Sequence, residues 1–401
     1  MQTNFPQSFL WGAALSSYQA EGGNFNSDWF LWEKTRNITP CGKACGHYER
    51  FESDFDIAHS LGLNALRVSF EWARLCPSPD AFDEEVLEHY QRVICALAAR
   101  GLTPLVNLHH FTNPVWFAER GGWLNAANID SFLCYTKRIA QVFKEHVAYW
   151  LVFNEPFVYA YNGFVRGIWP PGARSYAQAR RVIENIASAY ISAYQEIKAI
   201  YGARISHVSF SKHMRFFAPC PVFSLGLSSL AARVRDAIFN IQFIERLATR
   251  GVLDFIAVNY YCKEYVHFGF PAGRECAHQF HRERKNHIGW WMYPEGLYAL
   301  LLRLRRFRLP VIVTENGSAE TDNDAYRDYM QAHIEAVARA LRAGVDVRGY
   351  LWWALLDNFE WDKGFEYRFG LIHVDYAAMT RTVRPFALDF AGIAKENRVT
   401  W

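Results

Sequence analysis

Eight short apolar segments alternate with longer stretches along this chain, and that alternation restricts its fold more than any other feature of the sequence. Residues 9–15, 64–70, 102–109, 149–153, 204–211, 254–261, 310–315 and 348–355 read as strands. Helix-like stretches lie between them at 83–100, 129–146, 176–201, 294–306 and 324–343, with a terminal one at 385–395. Leu87, Tyr90, Ile94 and Leu97 show the three-to-four residue spacing of a buried helix face. Strand and helix alternating eight times predicts an α/β fold, a closed parallel (β/α)8 TIM barrel, which needs roughly 250 residues or more. The 401 residues accommodate it with loop insertions. No linker-like stretch divides the chain, so residues 1–401 read as a single domain, and the segment 218–230, rich in Pro, Ser and Gly, reads as a surface loop.

A barrel of this kind carries its active site at the C-terminal strand ends. Two predicted strands end there in a carboxylate. The run Pro310-Val311-Ile312-Val313-Thr314 leads into Glu315-Asn316-Gly317, and Tyr149-Trp150-Leu151-Val152-Phe153 leads into Asn154-Glu155-Pro156. Either glutamate alone is equally well a polar strand terminus. Together they suggest the paired-carboxylate chemistry of glycoside hydrolysis, one group as acid and the other as nucleophile or base.

Composition excludes several other classes. Net charge is +3 with both signs interspersed, which leaves no electrostatic footprint for nucleic acid or an anionic membrane. The cluster Arg303, Arg305, Arg306 and Arg308 reads as the basic end of a helix. No apolar stretch reaches the ~18 residues of a membrane span, and residues 1–6 lack the basic and apolar regions of a signal peptide, so a cytoplasmic location is expected. Eight cysteines without an export signal are expected to be reduced thiols. Cys41, Cys45 and His47 supply only three ligands for zinc, and Cys276, His278, His281 and His287 are irregularly spaced, so no metal site is expected. Aromatic residues make up 16% of the chain, including 14 Trp, enough to line a sugar-stacking cleft as well as a core.

At this point an ordered set of motifs resembles a known family. Phe9-Leu10-Trp11-Gly12 with Tyr18-Gln19-Ala20-Glu21-Gly22, Asn154-Glu155-Pro156, Thr314-Glu315-Asn316-Gly317, Leu355-Leu356-Asp357-Asn358-Phe359-Glu360-Trp361 and Arg368-Phe369-Gly370-Leu371 are similar to family 1 glycoside hydrolases, the β-glucosidase family. The resemblance runs from end to end. It implies a retaining, exo-acting β-glycosidase with Glu155 as general acid/base and Glu315 as nucleophile, their carboxyls ~5 to 5.5 Å apart. It further implies that Arg67 keeps Glu315 ionised, that Tyr261 orients it, and that the Glu315 charge raises the Glu155 pKa. Gln19, His110, Asn154, Asn259, Trp353, Glu360, Trp361 and Phe369 would form the sugar site, with Asn154 on the 2-hydroxyl. Neither metal nor organic cofactor is implied.

Glu360-Trp361 stands where members acting on 6-phosphosugars usually differ, and Glu155 is glutamate where plant thioglucosidases carry glutamine. Both favour unphosphorylated O-glycosides, β-glucosides with tolerance for β-galactosides or β-fucosides. Phe111 and Ala354 depart from the usual Trp and Ser. The chain is shorter than most members, within about 211–254 and 263–289, where the aglycone side is built; Trp169, Trp290, Trp291 and Tyr293 are candidate aglycone contacts. Transglycosylation on the same site and a non-catalytic glycan-binding role remain the alternatives. Oligomeric state is left open.

Overall fold

The computed structural model describes residues 2–79, 81–220, 226–268 and 284–400. Eight parallel strands close on themselves: β1 (Leu10–Ala14), β2 (Ala65–Ser69), β3 (Thr103–Asn107), β4 (Tyr149–Asn154), β5 (His207–Pro219), β6 (Ile256–Val266), β7 (Val311–Asn316) and β8 (Val347–Trp353), with β8 bonded back to β1. The helices α1 (His47–Ser60), α2 (Glu84–Ala99), α3 (Ile129–Phe143), α4 (Tyr176–Tyr201), α5 (Gln242–Ala248), α6 (Pro294–Leu304), α7 (Asn323–Arg342) and α8 (Pro385–Glu396) follow the strands in turn. The predicted barrel is the observed one.

Local chemistry explains the elements. β7 is buried at every residue, which suits a β-branched run covered on both faces. α2 starts at Asp83, whose side chain accepts from the Val86 N–H, and Glu84 and Glu85 in its first turn complement the helix dipole. Its buried face carries Leu87, Tyr90, Ile94 and Leu97, as the spacing predicts.

Two of these eight helices escape the sequence reading. The buried side of α1 includes His47 and Asp54 beside Phe51, Phe55 and Ala58, so its periodicity is masked by polar residues. Those two pair at 2.8 Å, and Arg381 Nε also reaches Asp54 at 2.8 Å. α5 spans seven residues, too few for a period to show. The predicted loop at 218–230 also needs correction: β5 runs to Pro219 and a further helix, Leu227–Asp236, begins soon after. β5 and β6 continue beyond the barrel, where Phe216 to Pro219 pair with Lys263 to Val266.

The barrel interior is divided along its axis. Its N-terminal part is an apolar plug of Ala65, Leu105, Leu151, Phe255, Ala257, Ile312 and Leu351. Beneath it, strand Gln2–Asn4 pairs antiparallel with Arg398–Thr400, and Trp11 packs on Phe5 and Phe9 while its Nε1 donates to Asn397 Oδ1 at 2.9 Å. At the C-terminal ends, register irregularities occur between Leu151 and Asn154, Val258 and Asn259, and Val313 and Asn316. Such irregularities re-aim side chains at a barrel rim, and here they fall where the polar residues begin.

Cys41 and Cys45 are buried and donate to the Tyr18 and Asp357 carbonyls, 3.1 and 2.8 Å away, so the short Cys-His segment is tied to separate backbone partners. Cys41, Cys45, Cys76, Cys95 and Cys134 are free thiols. Cys220 is disulfide-bonded, contrary to the expectation of reduced thiols throughout, because pairing depends on which sulfurs the fold brings together. Cys276, His278 and His281 lie outside the described residues. No described helix is long and apolar enough to cross a membrane.

The close contact of β1 with β2 supplies a test of packing. A Cβ on Gly12 would sit 2.3 Å from the Ala65 carbonyl oxygen, whereas one on Gly392 inside α8 meets nothing. Gly12→Ala is expected to lower unfolding free energy by about 1–3 kcal/mol; Gly392→Ala is expected to raise it by about 0.5–1 kcal/mol. Denaturant unfolding of both variants checks the pair of signs.

Candidate active site

The predicted site residues arrive from five strands and three connections. Arg67 lies on β2, Asn154 ends β4 with Glu155 directly after it, Asn259 and Tyr261 are on β6, Glu315 is on β7 and Trp353 ends β8. Gln19 comes from the short helix Ser17–Glu21 after β1, His110 from the loop after β3, and Glu360, Trp361 and Phe369 from the long connection after β8. Except for Arg67 and Asn259, all of them line one cavity of about 1070 Å³.

A continuous hydrogen-bonded chain joins the two glutamates. Arg67 donates from Nη1 to Glu315 Oε1 and from Nη2 to Asn154 Oδ1 at 2.7 Å. Asn259 Nδ2 donates to the same Asn154 oxygen at 3.1 Å and to Glu155 Oε1 at 2.7 Å. The Tyr261 hydroxyl donates to the second Glu315 oxygen. Asn259, expected to bind substrate, does not line the cavity. Its amide is spent on Asn154 and Glu155, its oxygen accepts from Thr314 Oγ1 at 2.7 Å, and the residue is fully buried behind the wall.

Because an amide nitrogen can only donate, the 3.0 Å contact from Asn154 Nδ2 makes His110 Nε2 an acceptor, with the ring proton on Nδ1. Burial, with the Arg67 charge adding to it, holds His110 far below its ordinary pKa and hence neutral. The same logic fixes a residue that sequence reasoning missed. His213, on β5, accepts from Arg215 Nε at 2.9 Å and therefore donates through Nδ1 to Glu155 Oε1 at 3.2 Å. Its ring lies over Tyr261 with centroids 5.9 Å apart. Its position two residues after Ser211, on the strand that flanks Glu155, was the only signal available in the sequence.

Electrostatics separate the carboxyls. Glu315 is pushed up to about 7 by burial, against the opposing Arg67 cation and with the Glu155 charge adding to the rise. Burial also acts upward on Glu155, but the His213 ring and its hydrogen bond, then Asn259 and Arg67, bring it below the usual carboxylate value. The expectation that the Glu315 charge raises Glu155 weighed only Glu315 and Arg67; His213 and Asn259 act on Glu155 in the opposite direction. Glu360 is pushed up to about 8 by burial and by the charges of Asp362, Glu315 and Glu155.

The walls combine free polar capacity with aromatic surface. Gln19 donates to Asn358, to the Phe359 carbonyl and to Glu360, while its Oε1 is buried with no partner. Trp361 stacks on Tyr18 at 5.9 Å and meets Phe111 at 5.2 Å and Trp169 at 5.7 Å. Phe369 packs 6.0 Å from Trp290. Of the aglycone candidates, Trp169 and Trp290 line the cavity. Trp291 instead accepts from the Lys263 N–H at its carbonyl, and Tyr293 packs on Phe216. Phe111, Glu155 and Trp361 all have positive φ (72°, 46° and 49°), a strained conformation for such residues that tends to collect at functional sites.

Comparison with known proteins accords with this geometry. The model of glycosyl hydrolase family 1 matches residues 1–251 and 227–399. β-Glucosidase A of Thermotoga maritima is 30% identical over 98% of this chain and 98% of its own length. A β-galactosidase of Sulfolobus acidocaldarius is 30% identical over 99% of this chain and 96% of its own. The solved structure of a β-glycosidase from Pyrococcus horikoshii superimposes with a TM-score of 0.93 at 34% identity, covering 100% of this chain and 97% of that one. The chain belongs to glycosyl hydrolase family 1.

Burial of Glu360 generates a stability prediction. A carboxyl whose folded pKa is raised favours the fold while protonated, and its contribution is lost as pH rises from its ordinary value toward about 8. Glu360→Gln is therefore expected to raise the thermal midpoint at pH 8, with a smaller gain at pH 5. Scanning calorimetry at both values checks this, and equal gains would contradict it.

Proposed function

We propose that this family 1 enzyme is a retaining, exo-acting β-glycosidase that hydrolyses unphosphorylated β-D-glucosides, with activity also on β-galactosides and β-fucosides. The observation that carries the reading is the buried chain Glu315, Arg67, Asn154, Asn259, Glu155, which ties two carboxylates into one hydrogen-bonded unit at the cavity wall.

The roles follow from the environments. Glu315 is the nucleophile: one oxygen is held by the Arg67 cation and the other by the Tyr261 hydroxyl, so its direction is set before the sugar arrives. Glu155 is the general acid for the glycosidic oxygen. In the first step Glu315 bonds to the anomeric carbon, the bond to the leaving oxygen breaks, and that oxygen takes the Glu155 proton. In the second, Glu155 removes a proton from water, the water oxygen bonds to the anomeric carbon, and Glu315 departs as carboxylate. The His213 donor favours the ionised form of Glu155, which is the form the second step requires.

Gln19, His110, Asn154, Glu360 and the two tryptophans Trp353 and Trp361 bind the pyranose, with the free Gln19 oxygen open to a hydroxyl. Glu360 stands on the sugar-binding wall where members acting on 6-phosphosugars usually differ, which favours unphosphorylated substrates. Initial rates on the 4-nitrophenyl β-glucoside, β-galactoside, β-fucoside and 6-phospho-β-glucoside test the assignment; turnover of the phosphorylated compound alone would overturn it.

Glu315→Gly is expected to lose hydrolysis of aryl β-glucosides, while azide or formate, attacking from the vacated nucleophile side, partly restores turnover of an aryl β-glucoside with a good leaving group; full activity in that variant would exclude Glu315 as nucleophile. A second expectation concerns pH. The reactive form holds one proton in the pair, so kcat/KM should be bell-shaped, falling on the alkaline side near the pair's upper value of about 7. Removing the donor to Glu155 with His213→Phe raises that carboxyl and moves the acid limb to higher pH. An unmoved acid limb would show that His213 does not act on Glu155.

A further inference from the structure

Lys212, on β5, is 1% exposed and lies on the strand face turned from the cavity. Its neighbours on that face, Phe210 and Met214, are buried in the apolar core, whereas His213 on the other face lines the cavity. An aliphatic residue would fill the place without the cost of withdrawing an ammonium from water. Among the described residues the Lys212 ammonium has one hydrogen-bond acceptor, the His213 carbonyl oxygen at 2.8 Å. The rings of Phe157 and Phe239 cover it instead, with centroids 4.6 and 4.2 Å from Nζ. Both rings line the cavity, and Lys212 itself does not.

The strand needs a tether at this point. Its pairing with β6 shifts register between Met214 and Phe216, so the regular ladder is interrupted just where His213 and Arg215 project into the cavity. Two side chains hold it. Lys212 takes the His213 carbonyl, and Asn240, in the π-helical turn Ala237–Ile241 that also carries Phe239, accepts from the Arg215 N–H at 3.1 Å and donates to the Arg215 carbonyl at 2.7 Å.

Few charges face the ammonium. Glu155 and Arg215 act on it in opposite directions, and burial, the largest influence, brings it down to about 7. Burial also holds the His213 ring below its ordinary pKa. The helix Pro156–Ala160 contributes Tyr159, whose hydroxyl accepts from Asn113. The π-helical turn contributes no ionisable group, and Asp236 before it is taken by Arg303 and by Asn240 at 2.6 Å. On the acid side of neutrality Lys212 is therefore a cation in the field of Glu155.

We propose that Lys212 is a positioning residue for the acid/base: held between Phe157 and Phe239, its ammonium fixes the His213 carbonyl, and with it the direction in which the His213 ring donates to Glu155. Its charge adds to the pull of His213 toward the ionised carboxylate. The proposal rests on the glycosidase reading, in which Glu155 protonates the leaving oxygen and then activates water.

The test is kcat/KM across pH for Lys212→Met, with methyl β-D-glucoside as the poor leaving group and 2,4-dinitrophenyl β-D-glucoside as the good one. A general acid contributes roughly 10²- to 10⁴-fold, so a residue acting on it at one remove is expected to cost roughly tenfold on the methyl compound and less than about twofold on the dinitrophenyl one. The acid limb should move to higher pH, because Glu155 loses a cation that favours its charged form. Adding Lys212→Met to His213→Phe should cost the methyl compound nothing further, since the tether then has no ring to aim. The fold should tolerate the change, a buried charge being replaced by an apolar chain of similar volume. If Lys212→Met does not fold, Lys212→Gln decides by the same two readouts: its amide keeps a donor without the charge, so the limb moves while the substrate ratio changes less. Equal losses on both glucosides with an unmoved limb, no loss at all, or additive losses in the double variant would overturn the proposal and leave the glycosidase reading intact. Failure of the unaltered enzyme to turn over either glucoside would overturn that reading and this one with it.

Discussion

The buried guanidinium of Arg67 is the interaction on which the rest of the site depends. Withdrawing such a cation from water costs several kcal/mol, which only well-directed partners can offset. Arg67 finds them in Glu315 and Asn154. Because a guanidinium only donates, the Asn154 oxygen must face it, which turns the Asn154 amide nitrogen toward His110 and fixes the His110 tautomer. Arg215 plays the matching part on the other side, forcing His213 to point its proton at Glu155. Two arginines, whose guanidinium groups can only donate, therefore set the direction of the hydrogen bonds around both carboxylates.

This polar arrangement sits on an apolar base. Below it, the barrel is filled by Leu105, Leu151, Ile312 and Leu351, and the irregular registers of β4, β6 and β7 mark the change from packing to chemistry. The connections that complete the site are held from behind by buried carboxylates. Asp357 accepts from Arg384 at 2.6 Å and from the Gly370 N–H at 2.9 Å, anchoring the connection that carries Glu360, Trp361 and Phe369. Asp28 accepts from the backbone and side chain of Asn113, securing the turn that follows His110 and Phe111. Those anchors keep Phe111 and Trp361 in their left-handed conformations, which would relax if the loops were free.

Burial has an electrostatic consequence for the whole molecule. Asp28, Glu71 and Glu315 are each pushed up to about 7 and Glu360 to about 8, with burial the largest cause in every case. Carboxyls raised in this way favour the fold while protonated, so their contribution is lost as pH climbs from the ordinary carboxylate range through 7 to 8. The site is held against that tendency by the continuous core around it.

Much of this protein was legible in its sequence. Strand and helix periodicity is a local property, and it specified eight strands, the barrel and the strand ends at which Glu155 and Glu315 would sit, because burial of each element leaves a pattern in consecutive residues. The motifs carried the resemblance that named Arg67, Tyr261, Gln19, His110, Glu360 and Trp361, and the structure brings these together. What only the tertiary structure decided depends on residues far apart in the chain. Asn259 is 105 residues from Asn154 and is turned away from the cavity by that contact, and His213 is 58 residues from the Glu155 it touches. α1 was hidden because its buried face is partly charged. The pull of His213 on the Glu155 carboxyl was likewise hidden, since a pKa reports every charge and dipole around a group and no stretch of sequence contains them all.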